Sequence, residues 1–225
     1  MKYLKKAFNV FWKDLIIELR SKEMINTMII FSILVVLISS FAFGQMSTEA
    51  LDQIAPGVLW IAFIFAGMLG IGRSFISEKD QNCLRGNMLA PVDWSAIYIG
   101  KTIGNLFFML IMELITLIIF VVIFDFGKIL TKLPKLTIIL LLGTLGFVSV
   151  GTLLSAISVN TKTREMLLPV LLFPVTIPVI LPVVESTSQL ITQEPNILPW
   201  IRILTAYDII FFVLSALIFN YVVEE

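Results

Sequence analysis

Six stretches of this chain are long and apolar enough that each must be satisfied as a membrane span: residues 25–43, 54–72, 102–124, 136–159, 166–184 and 203–223. Four carry no charged side chain; the third holds only Glu113 and the sixth only Asp208. Each is close to the ~20 residues that take a helix across a ~30 Å hydrocarbon core. Lipid offers the backbone no hydrogen-bond partner, so a spanning segment must pair its own N–H and C=O groups. That leaves helices, because a closed barrel would need short alternating segments of about ten residues. Composition agrees: 58% of residues are apolar and 14% charged, against roughly 45–50% and about 25% in soluble domains. The fold expected is an all-α integral membrane protein, one transmembrane domain over residues 1–225.

The first 23 residues read differently. Apolar side chains at Leu4, Phe8, Phe11, Trp12, Leu15, Ile16 and Leu19 recur at helical spacing, with Lys2, Lys5, Lys6, Lys13, Arg20 and Lys22 among them. This pattern predicts an amphipathic helix lying in the membrane interface, and not a cleaved secretory signal. Lys and Arg also set the expected orientation. With the N-terminus in the cytoplasm, twelve of the sixteen Lys/Arg fall on the cytoplasmic side and four outside. Both ends of the chain are then cytoplasmic, as is the polar segment 73–101.

Several function classes are excluded early. Histidine is absent, which removes the usual haem ligand and the usual general base. The single cysteine, Cys83, allows no internal disulfide. No G-x-x-x-x-G-K-[ST] loop exists to cradle phosphates. Net charge is zero, so there is no basic field for nucleic acid. No catalytic constellation and no metal set are visible, and the chain is expected to be non-catalytic with no covalently bound cofactor.

The spans differ in their packing chemistry. Ala62, Ala66 and Gly70 in the second, and Gly143, Gly146, Gly151 and Ser155 in the fourth, present small faces to which another helix can come close. They point to packing within the bundle or against a second copy of the chain. The fifth holds Pro169, Pro174, Pro178 and Pro182, each of which removes a backbone donor, so a kinked or broken helix is expected there. The polar stretch 185–201 after it is expected to re-enter the outer leaflet. Glu113 stands mid-span, where a lone charge costs about 2.5–3.5 kcal/mol or more. It is the intramembrane functional candidate, with a neutral structural hydrogen bond as the other reading. Asp208 reads as an interfacial cap near the outer end of its span. Trp12, Trp60, Trp94 and Trp200 read as interfacial belt residues.

The polar island at 73–101 carries seven charges in 29 residues between two apolar runs. Asp80 or Asn82 could cap a short helix inside it, and Asp93 a second one running into Ser95–Tyr98. Its residues Arg73-Ser74-Phe75, Glu78, Gly86, Leu89-Ala90-Pro91-Val92-Asp93, Ser95-Ala96-Ile97-Tyr98, Gly100-Lys101 and Asn105 resemble the signature loop of the CcmB family. The tetrad Ala90-Pro91-Val92-Asp93 followed by Ile97-Tyr98-x-Gly100-Lys101 is the most specific part. The resemblance continues through Pro56-Gly57-Val58-Leu59-Trp60 and Glu113, and it fits the length and number of spans of nearly the whole chain.

What the resemblance implies is a membrane permease subunit of an ABC-type system for cytochrome c maturation, in a prokaryotic inner membrane. Its partners would be the ATP-binding subunit CcmA, CcmC and CcmD, and indirectly the haem chaperone CcmE. Haem would be a handled or transported ligand, and ATP would act only through the partner subunit. The order of elements is similar to the ABC-2 exporter architecture, in which the first cytoplasmic loop docks into the nucleotide-binding subunit. On that basis Arg73, Glu78, Arg85, Leu89, Pro91, Asp93 and Lys101 are candidate coupling residues. Other readings stay open: a membrane scaffold without a transport path, or an ABC-2 permease for another substrate.

Overall fold

The computed structural model describes residues 2–80, 94–159, 161, 164–192 and 196–224. Among these the regular structure is entirely helical. Seven α-helices follow in order: α1 Lys2–Ser21, α2 Glu23–Phe43, α3 Thr48–Asp80, α4 Trp94–Ile123, α5 Leu133–Ser158, α6 Arg164–Ile191 and α7 Leu198–Glu224. A short 3-10 helix, Gly127–Lys132, precedes α5. Six of them, α2 to α7, are long and apolar enough to cross a membrane. This is the expected count, and each helix contains most or all of its predicted run.

Two spans form the centre. The most apolar windows of α3 and α5 are 72% and 67% buried inside the protein, against 22% for α7 and 28% for α2. α5 packs on α3, α4, α6 and α7. The small residues explain why. Ala62 and Ala66 are fully buried, and a Cβ at Gly70 would run into the Met28 thioether of α2. A Cβ at Gly143 would lie 2.7 Å from the Trp60 ring, and one at Gly151 2.9 Å from Ile71. Ser155 Oγ donates to the Ile71 carbonyl at 3.0 Å. The small faces therefore serve contacts within this chain, where close backbones gain dispersion that lipid cannot supply. Outward faces, such as Ile209, Ile210, Val213 and Leu217 of α7 or Ile30, Ile38 and Phe41 of α2, are apolar and exposed, as a lipid-facing surface must be.

Three expectations are corrected. First, α6 is unbroken from Arg164 to Ile191 despite four internal prolines. Hydroxyls add bonds along the same helix: Thr176 Oγ1 donates to the Leu172 carbonyl at 2.9 Å, Ser186 Oγ to that of Pro182 at 2.5 Å, and Thr187 Oγ1 to that of Val183 at 2.7 Å. Tyr207 of α7 donates to the Val175 carbonyl at 2.9 Å and ties α7 to α6. Second, residues 185–191 continue α6 instead of leaving it, and α7 begins at Leu198. Third, Trp60 is no belt residue. It is 2% exposed, and its indole N–H donates to Thr187 Oγ1 at 2.9 Å, tying α3 to α6 in the core.

Candidate functional site

The polar loop is shorter in the structure than in the sequence. α3 runs through to Asp80, so Arg73 and Glu78 are helical and Asp80 starts no new helix. Arg73 is exposed. α4 begins at Trp94. Arg85, Leu89, Pro91 and Asp93, with the short helix expected among them, lie outside the described residues. What the structure does define is the pair of helices that enter and leave this segment.

Lys101 belongs to the second of these helices. It stands two turns into α4, 1% exposed, with Nζ 3.1 Å from Asp14 Oδ2 of α1. Lys13 adds a second cation 3.2 Å from the same carboxylate. A buried charge must be paired to be tolerated, so this bond fixes α1 to α4. The surrounding fit is close: a Cβ at Gly100 would fall 2.6 Å from the Ala7 carbonyl, and Phe11 meets Phe107 edge-to-face at 6.0 Å. α1 thus has two apolar faces. Ala7, Val10 and Phe11 meet α4, whereas Leu4, Phe8, Trp12 and Leu19 are exposed. At its end, Glu18 Oε1 accepts the Ile25 N–H at 2.9 Å and caps α2. Burial raises the Glu18 carboxyl above its ordinary range, against the lowering effect of that hydrogen bond.

Two carboxyls are enclosed among the spans. Glu113 of α4 is 1% exposed, and its Oε1 accepts from Thr144 Oγ1 of α5 at 2.7 Å. Its Oε2 has no hydrogen-bond partner. Asp208 of α7 is 4% exposed, and neither of its oxygens has a partner. Its Oδ1 occupies the space a side chain at Gly146 would need, 2.5 Å from an added Cβ. Asp208 is therefore not an interfacial cap. α7 starts at Leu198, so ten residues, or about 15 Å of helix, separate its start from Asp208. A second buried polar set, Ser32 with Thr116 at 2.7 Å, joins α2 to α4 nearby. Asn105 Nδ2 donates to Thr152 Oγ1 at 3.0 Å, joining α4 to α5 nearer the other end.

Residues 5–224 match the model of the family described as CcmB protein. The chain belongs to this family. It is similar to heme exporter protein B of Pseudomonas aeruginosa, 25% identical over 190 residues that cover 83% of each chain. It is also similar to heme exporter protein B of Rhodobacter capsulatus, 27% identical over 174 residues, 75% of this chain and 76% of the relative. The same-named protein of Escherichia coli K12 is 28% identical over 101 residues, 43% of this chain and 45% of the relative. This CcmB-family chain is a multi-pass membrane protein.

Two features of this CcmB chain were not legible as functional from its sequence: the Asp14–Lys101 bond and the depth of Asp208. The first joins residues 87 positions apart, which no local pattern reports. The second had a signal. Asn196 followed by Pro199 marks a helix start near 198, which puts Asp208 ten residues into its helix.

Proposed function

We propose that this chain is the membrane permease subunit of an ABC-type complex for cytochrome c maturation. It couples ATP hydrolysis by a separate CcmA subunit to haem export or to release of the haem-loaded chaperone CcmE, in a complex with CcmC and CcmD. The supporting observation is the arrangement around residues 81–93: an interfacial helix bonded to α4, and α3 and α4 framing one polar segment, in a family whose curated relatives are named heme exporter protein B. The chain has no nucleotide-binding loop of its own, so ATP energy must enter through protein contact. The loop meets that need, with Leu84, Met88 and Leu89 as apolar anchors and Glu78, Arg85 and Asp93 on the rim. Buried anchors carry most of such binding energy. The Lys/Arg count supports a cytoplasmic position for this loop and both chain ends, and the reading puts the subunit in a prokaryotic inner membrane.

A scaffold role without a transport path is the second reading, favoured by the absence of any histidine to ligate haem. Co-purification with CcmA, with ATP turnover measured alongside, separates the readings. Replacing residues 78–93 by a Gly/Ser linker is expected to abolish co-purification. Full retention of the ATPase by that variant removes the loop as the docking element. Leu89→Ala and Glu78→Arg are expected to weaken capture, whereas Pro91→Ala keeps capture but uncouples ATP turnover from cytochrome c maturation.

A further inference from the structure

Glu113 and Asp208 reach α5 from two sides. Glu113 meets Thr144 from α4, and Asp208 meets Gly146 from α7. Two residues on a helix are about 200° apart around its axis, so the carboxyls lie on roughly opposite flanks of α5. Each stands ten residues from the nearer end of its own helix, about 15 Å. Neither is more than 4% exposed. Among the described residues, three of their four oxygens have no hydrogen-bond partner in the protein.

No cation is placed to neutralise either group among the described residues. α5 carries no charged side chain after Lys135. α6 brings Val179 to the Asp208 contact, and its Glu185 is exposed. On α7, Arg202 is exposed six residues away, and the neighbouring Tyr207 hydroxyl is committed to the Val175 carbonyl. On α4, Lys101 lies twelve residues from Glu113, about three turns, and is bonded to Asp14. α2 offers Ser32 and α3 offers Trp60, both neutral. An ionised carboxylate without a partner is not stable in such surroundings, whereas a carboxylic acid is a modest polar group.

We propose that Glu113 and Asp208 form a pair of proton-binding sites enclosed among the spans, one on each flank of α5. In the packed state both carry a proton, and α5 sits between two neutral acids. Separation of α5 from α4 or α7 would open both acids to bulk solvent and let the proton leave. The proton occupancy of the pair then reports whether α5 is packed. This inference concerns the chain alone and holds whatever the complex carries.

Infrared spectroscopy tests it on the full-length protein in phospholipid nanodiscs at neutral pH, in H2O and D2O. A protonated carboxyl shows a C=O stretching band that an ionised one lacks. The wild type is expected to show two such components with slow deuterium exchange. Glu113→Gln should remove one, Asp208→Asn the other, and the double variant both. A variant that does not fold leaves the test intact, because 13C-carboxyl aspartate or glutamate shifts any protonated band of that residue type in the wild type, and the wild type must then show one aspartate and one glutamate band with slow exchange. If 13C-aspartate shifts no protonated band, Asp208 is ionised and the proposal fails for that flank. If Glu113→Gln leaves the spectrum unchanged, it fails for the other. A protein that co-purifies with CcmA yet lacks both bands would overturn this pair and leave the proposed coupling untouched.

Discussion

Glu113 illustrates how one side chain can be both structural and chemical. Thr144 satisfies one of its oxygens and nothing satisfies the other. Glu113→Gln keeps an oxygen to accept from Thr144, so fold and expression should survive. Maturation of c-type cytochromes should fall, as measured by haem staining in a strain whose only copy carries the change. Normal cytochrome levels would reduce Glu113 to a hydrogen-bond partner. Thr144→Val strips the remaining contact and should cost ~1–3 kcal/mol in thermal unfolding of the purified protein. Across α5, Gly146→Ala puts a methyl into the Asp208 carboxyl and Val179. Overpacking of this kind costs about 1–3 kcal/mol, and pairing it with Asp208→Ala should recover part of the loss.

Among the elements, α1 carries the most testable contacts. Asp14→Ala leaves the Lys101 ammonium buried without that carboxylate. Removal of one partner from a buried pair costs about 3–5 kcal/mol. The double change Asp14→Ala with Lys101→Met should cost less than the sum of the singles, because the two residues share one interaction. Additive losses in thermal unfolding would show that the two residues act separately. Glu18 marks the α1–α2 junction. Its loss in Glu18→Ala removes a cap worth about 0.5–2 kcal/mol, whereas Glu18→Gln still accepts the Ile25 N–H. Burial lifts the Glu18 carboxyl above its unfolded value. The stability it contributes is therefore complete below the ordinary glutamate range and declines as pH rises through the folded value. Glu18→Gln should flatten that decline in an unfolding series across mildly acidic pH.

For the whole molecule, the arrangement of spans places the connections after α2, α4 and α6 on one side and those after α3 and α5 on the other with both termini. In the proposed orientation, the second side faces the cytoplasm. On a Cys83→Ser background, Thr192→Cys, exposed just past the end of α6, should react with an impermeant thiol reagent added from outside. Labelling from the cytoplasmic face alone would invert or break the six-span topology.

The number of long apolar helices, the helical first segment and the family were legible in the chain, because lipid enforces the first and signature residues carry the last. A backbone that cannot hydrogen-bond to solvent must form a helix wherever ~20 apolar residues run together. Small residues marked the close contacts for the same local reason. What the chain did not reveal was which face meets which. A span apolar all round has no periodicity to orient it. Trp60 therefore looked interfacial until its N–H was found on Thr187, 127 residues away. The prolines of α6 pointed to a break, yet the helix runs on from Arg164 to Ile191, packed between α3, α5 and α7. Lys101 looked like part of a solvated loop until Asp14 closed over it. Asp208 is the sharpest case: its type and number are in the sequence, but its burial against Gly146 exists only because α5 and α7 pack. Hydropathy decides what enters the membrane, and long-range packing decides which polar groups are left there without a partner.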